Sequence, residues 1–414
     1  MSQNIKKDYI WNTIGVFAQN AISPLLLIAV TRINGIYDSG IFSFAFSLSL
    51  ILWAVGMWGG RTYQVSDVKR EFSHHSYIFV RLILGFAVII AAIIFSILNQ
   101  YEADKMGIIL ALVVFKVVES ISDAIYGIFQ VHDRLYVAGR SLFYKAVLGL
   151  VSFVVTDLMT HDILLSCVAV IAVNVLVVIA YDLVQIRQSM NMIAPLGDNK
   201  LAIMSSFRII KKCAPIALII CLTMFSLNIP RYFIDLYRPV DVGPFGIIAM
   251  PITLIALLIT FILQPNITQL SKLFNKRDYK LFKRIVNKLV GVSISIGVLV
   301  FITTYLIGVE LLHFVFGIDF VEYREALLVI VAGGVLNAVV SIYVNILTIM
   351  RYFKAQFYIL LLTNIILAIA SVSVIQRYGL LGGVTLYSMV NLIQMALLFG
   401  AYRASFAVNP PRST

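Results

Sequence analysis

Four polar residues recur at helical spacing inside an otherwise apolar stretch of this chain. They are Lys116, Glu119, Ser120 and Asp123, at i, i+3, i+4 and i+7. A helix places residues with this spacing on one face. A charged side chain at the centre of a bilayer costs about 2.5–3.5 kcal/mol on insertion scales. Three such groups therefore predict a protein-lined or water-filled cavity, with Lys116 deepest, or alternatively a self-satisfied ion cluster inside one helical bundle.

The composition requires a membrane around these residues. The 414-residue chain is 61% hydrophobic and 13% charged, which is more apolar than a water-soluble core of this size can accommodate. Segments of about 20 mainly apolar residues span a bilayer as helices. Twelve are predicted, at 10–30, 40–60, 78–98, 107–127, 141–157, 163–184, 213–236, 244–264, 289–309, 326–348, 357–375 and 384–402.

A short pattern repeats at about half the chain length. Each copy has an arginine at the end of an apolar segment, a polar turn, and then Asp-x-Gly-x-Phe. The matched residues are Asp38, Gly40 and Phe42 against Asp241, Gly243 and Phe245. A second match, in the same order, pairs Tyr126 and Arg134 with Tyr343 and Arg351. The spacing predicts an internal duplication, and chance similarity between two membrane hairpins is the alternative.

The duplication predicts two six-helix bundles, at 1–190 and 213–414, joined by a polar cytoplasmic hinge at 191–212. An even number of spans in each half makes the halves parallel. The tenth span aligns with the fourth but carries Gly333, Gly334, Asn337 and Ser341 in place of its charges. Because proline interrupts helical hydrogen bonding, flexing is expected at Pro24, Pro230 and Pro251.

Basic residues are distributed unevenly over the loops. With both termini inside, the cytoplasmic segments hold 23 of the 32 Lys and Arg residues, including a short tail after the last span, and the outer segments hold six. This asymmetry predicts a multi-pass membrane protein with both termini cytoplasmic. The formal charge of +12 therefore indicates orientation and anionic lipid rather than nucleic acid.

Three basic features have simple interpretations. A Lys-rich stretch at 272–288 predicts an amphipathic helix lying on the inner leaflet. Arg81 and Lys145 fall near the cytoplasmic ends of their spans, where long side chains are expected to reach the interface.

Catalytic motifs are absent from the sequence. It contains no HExxH, GxSxG or Walker A motif, and its three cysteines lack metal-ligand spacing. Metal catalysis, ATP hydrolysis and a bound cofactor are therefore not expected. The first apolar stretch is long and has no small-residue cleavage site, so it is predicted to remain as the first span.

Read in order, the motifs of the chain resemble those of a known family. They are Arg32, Gly35, Gly40 and Phe42, then Arg231–Asp235, Gln264-Pro265, Phe316-Gly317 and Tyr378–Gly383. This order, over almost the whole chain, resembles the polysaccharide transporters of the multidrug/oligosaccharidyl-lipid/polysaccharide (MOP) exporter superfamily. The best-known members flip undecaprenyl-linked O-antigen units.

The resemblance implies an all-α, MATE-like fold and a flippase rather than an enzyme. The cargo would be an undecaprenyl-diphosphate-linked oligosaccharide, moved to the outer leaflet by alternating access. Family cavities are cationic, and charge and depth here favour Lys116, Arg32 and Arg231 as cargo contacts. Glu119, Asp123 and Asp235 are candidates for binding a coupling H⁺ or Na⁺. Anionic lipid, a polysaccharide polymerase and a chain-length regulator are the other expected partners.

Two other functions remain open at this point. A MATE-like exporter of drugs or organic cations would share the fold but would line its cavity with carboxylates and aromatic residues. A polysaccharide polymerase or ligase would carry a large outer loop, whereas no outer loop here exceeds roughly a dozen residues.

Overall fold

The structure, a computed structural model, describes residues 3–67, 71–190 and 199–408. In these ranges it is helical throughout apart from short turns, and no strand occurs there. The all-α prediction is therefore confirmed. The chain divides into two compact units, residues 1–217 and 218–414.

Seven long helices begin in the first unit, and the last of them continues into the second. They are α1 (Gln3–Asn34), α2 (Ile36–Met57), α3 (His74–Leu98), α4 (Ala103–Val131), α5 (Leu135–Thr160), α6 (Ile163–Val177, continued through a π-helical turn, Val178–Asp182, into Leu183–Met190) and α7 (Asn199–Tyr237). A short helix, Gly60–Ser66, separates α2 from α3. Of the predicted hinge, 191–198 lie outside the described residues and 199–212 begin α7.

The remaining long helices belong to the second unit. They are α8 (Met250–Asn275), α9 (Tyr279–Phe316), α10 (Arg324–Ile349), and α11 and α12, which together make up Phe353–Val408 and are divided at Gly379. Short helical turns, Pro239–Asp241 and Val242–Ile248, connect α7 to α8, and Val321–Tyr323 precedes α10.

Ten helical stretches of the described residues are apolar and long enough to cross a membrane. Two features raise the number of described helices of that length to twelve. Helix α4 has the required length, but it is not counted among these ten because it carries too many charged residues near its middle. The stretch 353–406 counts once, although the chain turns within it.

Gly379 makes that turn with φ 56° and ψ −137°, a conformation that favours glycine. Residues 374 and 382 lie within contact distance across it. In a straight helix, eight residues would separate them by about 12 Å along the axis. Helices α11 and α12 are therefore a hairpin whose corner is one residue.

Helices α4 and α10 occupy similar positions in their units. Helix α4 packs against α2, α3 and α6, and α10 packs against α8, α9 and the α11–α12 hairpin. Each contributes a long series of buried residues because three neighbours cover its apolar faces. Polar groups on either helix therefore face protein rather than lipid on most sides.

The turns after α4 and α10 have the same backbone geometry, but the residues that correspond differ by one position from the sequence pairing. The left-handed residue is Asp133 (φ 55°) in the first unit and Arg351 (φ 60°) in the second. The next N–H, of Arg134 or of Tyr352, reaches back to a helix carbonyl at 2.8 and 2.9 Å. Arg134 and Arg351 are therefore not equivalent, and the pairing predicted from the sequence is wrong by one residue.

Candidate functional site

The polar face of α4 holds an ion pair at its centre. Lys116 Nζ lies 2.6 Å from Glu119 Oε2, and both side chains are about one-tenth exposed. The other carboxylate oxygen of Glu119 accepts a hydrogen bond from the Gln19 amide on α1. Ser120 does not join this pair, because its hydroxyl donates to the Val117 carbonyl of its own helix.

Aromatic rings surround the Lys116 ammonium. Its nitrogen lies 4.9 Å from the ring centre of Phe115, 5.0 Å from that of Phe46 and 5.9 Å from that of Trp53. Ring faces attract a cation electrostatically, and more strongly where water is excluded. The ammonium is thus held by one carboxylate and by rings on α2 and α4, so only part of its donor capacity is used.

Asp123, two turns along the same face, contacts two arginines. Arg61 Nε and Arg81 Nη2 each lie 3.7 Å from one of its carboxylate oxygens. Arg81 also donates to the carbonyls of Gly56 and Met57 at the end of α2. Of the five charged groups in this cluster, Arg61 is the most accessible, with 26% of its side chain exposed.

The α4 cluster consists of Lys116, Glu119, Asp123, Arg61 and Arg81. Three cations face two carboxylates, so the cluster carries one surplus positive charge. All of these residues, and Gln19 as well, belong to the first unit. The charges are therefore paired with one another inside the first unit, the alternative that the sequence left open.

A second ion pair is buried beside the α4 cluster. Lys145 Nζ on α5 lies 2.6 Å from Asp182 Oδ2 on α6, and both side chains are at most 3% exposed. The ammonium also donates to Ser122 Oγ at 2.8 Å and to Tyr126 OH at 2.9 Å, and Tyr126 OH pairs with Ser141 Oγ. The prediction that Lys145 reaches the interface is wrong, because an acidic partner on another helix holds it inside.

The π-helical turn in α6 ends at Asp182. Such a turn inserts one extra residue and rotates the helix that follows. Because of that rotation, the face of α6 that carries Asp182 differs from the one that 3.6-residue periodicity predicts. The prediction that Arg81 reaches the interface is also wrong. Asp123 and two backbone carbonyls hold its side chain inside the protein, where it is only 4% exposed.

The other predicted cargo contacts lie apart from this cluster. Arg32 is exposed in the last turn of α1. Arg231 belongs to the second unit, where its guanidinium carbon lies 5.2 Å from the ring centre of Phe245, and Asp235 follows one turn later on α7. Both are almost fully buried. Their roles, like those of Lys116, Glu119 and Asp123, stay predictions.

The three prolines occupy different positions in their helices. Pro24 lies inside α1, and Pro230 lies inside α7. Pro251 lies in the first turn of α8, where proline removes no helical hydrogen bond. Its position therefore offers less reason for flexing than those of the other two, and flexing at all three stays a prediction.

The basic stretch at 272–288 is not a separate surface helix, and that prediction is wrong. Helix α9 begins at Tyr279 and runs without a break to Phe316. Its apolar stripe is buried in protein: the ring centre of Phe282 lies 5.7 Å from that of Phe274 and 6.2 Å from that of Phe406. The lysines of this stretch remain exposed.

The second unit has a small cavity between α8 and α10. Its volume is about 100 Å³, and it is lined by Asn337, Ser341 and Gln264 among other uncharged residues. Among the described residues, no three His, Cys, Asp or Glu side chains are placed to hold a metal ion.

Comparison with known proteins gives one curated relative and a consistent fold. No protein-family model matches the chain. The capsular polysaccharide biosynthesis protein CapF of Staphylococcus aureus is 22% identical over 397 residues, covering 94% of this chain and 98% of that protein.

Solved structures of transporters are similar over nearly the full length. An inward-facing multidrug resistance MATE family transporter of the MOP superfamily matches with a TM-score of 0.72 at 11% identity, covering 98% of this chain and 100% of that one. Lipid II flippase MurJ matches with a TM-score of 0.71 at 13% identity, covering 96% and 89%. A Pyrococcus furiosus MOP superfamily transporter, described as having a binding pocket of reverse polarity, gives 0.64 at 13% identity, covering 99% and 96%.

These matches establish a multi-pass membrane protein with the fold of MOP-superfamily transporters. The MATE-like fold predicted from the sequence is confirmed, as is the resemblance to the superfamily's polysaccharide flippases. The structural neighbours are transporters and flippases rather than enzymes.

Proposed function

We propose that this protein is a flippase for an undecaprenyl-diphosphate-linked oligosaccharide, an O-antigen or capsule repeat unit. It carries the unit from the inner to the outer leaflet of the bacterial cytoplasmic membrane by alternating access. The observation that carries this proposal is the α4 cluster, in which mid-span charges leave one cation in excess. The capsule-related relative and the flippase fold support the same cargo class.

The α4 cluster suits a diphosphate because its cations are only partly used. A lysine ammonium has three N–H donors, and Glu119 accepts one of those of Lys116 at 2.6 Å. Arg61 keeps 26% of its side chain exposed while contacting Asp123. An arginine fork can bind two phosphate oxygens at once. Cargo binding therefore adds acceptors to these cations, and Arg32 and Arg231 are further cationic contacts.

In this proposal Glu119 and Asp123 couple cargo binding to an ion. A proton or Na⁺ taken up by Glu119 weakens its attraction for Lys116, and the ammonium then turns its charge toward the diphosphate. Release of the ion restores the pair at 2.6 Å and favours release of the cargo. Asp235 on α7 is the candidate coupling carboxylate of the second unit.

The proposal also includes the membrane topology of the protein and its lipid and protein partners. The distribution of lysine and arginine favours both termini in the cytoplasm of a bacterium. The exposed lysines at 272–288 then face anionic lipid of the inner leaflet. A polymerase and a chain-length regulator would receive the cargo on the outer side.

Replacing Lys116 tests the proposal. With purified full-length protein in proteoliposomes and a fluorescent undecaprenyl-diphosphate disaccharide, we expect Lys116→Ala to slow flipping by about tenfold or more. Loss of one charge-assisted hydrogen bond of about 1.5–3 kcal/mol is the physical reason. Lys105→Ala is the matched control, because Lys105 lies on the same helix with its ammonium over Phe44 and Tyr101.

A double variant controls for the folding cost of an unpaired carboxylate. Lys116→Ala with Glu119→Gln removes the lysine without leaving an unpaired carboxylate. We expect this variant to insert and fold normally and still to flip slowly. Flipping at the wild-type rate by either variant would contradict the assignment of Lys116.

A multidrug exporter is the second candidate, favoured by the 0.72 TM-score to a MATE family transporter. Its cation cargo would need unpaired carboxylates, whereas Glu119 and Asp123 both contact cations. Efflux of a cationic dye from proteoliposomes, with no flipping of the lipid-linked disaccharide, would establish this function instead.

A further inference from the structure

The cavity between α8 and α10 differs in chemistry from the α4 cluster. All of its eleven lining residues come from these two helices, and none is charged. A volume of about 100 Å³ is equivalent to roughly three water molecules. It therefore accommodates one small substituent of a ligand and not a whole sugar ring.

The polar wall of the cavity has spare hydrogen-bonding capacity. Asn337 and Ser341 lie one turn apart on α10, and Gln264 lines the cavity from α8. Within the described part of the chain, these three side chains make no hydrogen bond with protein. Two other lining side chains are already occupied: Asn345 donates to the Ser341 carbonyl and Thr260 to the Ala256 carbonyl, each at 2.8 Å.

Aliphatic side chains form the apolar wall of the cavity. Ile252, Ile259 and Leu263 line the same cavity and are almost fully buried. A side-chain amide offers both N–H donors and a carbonyl acceptor, and a hydroxyl offers one donor and two acceptor positions. The site therefore has donors, acceptors and an apolar wall, but no charge to neutralise an ion.

We infer that this cavity binds the acetamido group of an N-acetylated sugar in the cargo, an inference that rests on the proposed function. An acetamido group has one N–H donor, one carbonyl acceptor and a methyl group. Asn337 and Gln264 match the two polar atoms, Ser341 supplies a third contact, and the isoleucine and leucine side chains surround the methyl. A carboxylate or phosphate is disfavoured, because no cation lines the cavity.

The cavity and the α4 cluster then have separate recognition roles. The α4 cluster binds the diphosphate, which every lipid-linked glycan of this class carries. The cavity of the second unit distinguishes the sugar, because a site built to hydrogen-bond a group discriminates against analogues that lack it.

Two lipids that differ in one substituent test the inference. The probes are undecaprenyl-diphosphate N-acetylglucosamine and undecaprenyl-diphosphate glucose, titrated into detergent-purified full-length protein. We expect the wild type to bind the acetamido lipid about tenfold more tightly, the effect of one or two net hydrogen bonds. Asn337→Leu should bring the two dissociation constants within about twofold of each other.

Matched variants guard against a general folding effect. Asn266→Leu makes the same change on α8 outside the cavity, where the amide donates to the Ile262 carbonyl at 2.8 Å, and should keep the tenfold preference. Ser341→Ala is a smaller change in the same wall and should reduce the preference even if Asn337→Leu folds poorly.

Three results would overturn the inference. Equal binding of both lipids by the wild type would mean that the cavity does not read the substituent. A preference that survives both Asn337→Leu and Ser341→Ala would place the discrimination elsewhere and leave the cavity to water. If neither lipid binds the wild type, the proposed function fails and the inference fails with it.

Discussion

Helices α4 and α10 hold corresponding places in the two units but have opposite chemistry. Both pack against three neighbours, and both end in a turn with one left-handed residue. Helix α4 carries Lys116, Glu119 and Asp123, whereas α10 carries Asn337 and Ser341 on the wall of an uncharged cavity. The two helices thus share a local backbone plan but differ in their side chains, and under the proposed function the charged face suits a diphosphate and the uncharged one a neutral group.

The largest expected effect concerns the ion pair buried beside the α4 cluster, in the charged unit. Lys145→Ala would leave Asp182 fully buried and without its cation. Breaking a buried pair in this way lowers the free energy of unfolding by about 3–5 kcal/mol. We expect a lower yield and a clearly lower melting temperature in detergent, measured by intrinsic fluorescence.

The control for this prediction removes both charges. Lys145→Met with Asp182→Leu replaces the pair by apolar side chains of similar volume, which is often neutral for stability. If the single and double variants melted at the same temperature, the ion pair would not be what stabilises this part of the first unit.

A smaller effect is expected when charge is brought into the neutral helix. Asn337→Lys places an ammonium in a cavity without a carboxylate, at a cost of about 2.5–3.5 kcal/mol on insertion scales. We expect its melting temperature to fall below that of Asn337→Leu in the same detergent. Equal melting of the two variants would show that the cavity tolerates charge and that the contrast with α4 is weaker than the lining residues indicate.

The smallest effect tests what the two helices share. A left-handed conformation costs most residues about 1–2 kcal/mol, and aspartate tolerates it better than arginine does. Arg351→Gly and Asp133→Gly should therefore each raise the melting temperature slightly, Arg351→Gly by more. A fall in either variant would mean that the replaced side chain makes a contact worth more than the backbone strain.

Local periodicity made part of this site predictable. The i, i+3, i+7 spacing of the charged residues is sufficient to place Lys116, Glu119 and Asp123 on one face. The length of each apolar segment is likewise sufficient to predict most of the long helices. Both properties are local, because they depend on residues within a few turns of one another.

The partners of that face could not be predicted in the same way. Gln19 is 100 residues away from Glu119, and Arg81 is 42 away from Asp123 in the sequence. Only the tertiary arrangement of the helices brings them together. Asp182 was missed because a π-helical turn changes the face on which it lies, and such a turn leaves no signal in apolar periodicity.

The one-residue corner at Gly379 affects how the orientation of this protein can be measured. An inserted epitope or protease site would have to separate two helices that touch within five residues of the corner. Failure to express such a fusion would therefore carry no information about sidedness. A single cysteine in place of Tyr378, whose side chain is well exposed, leaves the corner intact. Its reaction with a membrane-impermeant thiol reagent would report which side of the bilayer this end of the hairpin reaches.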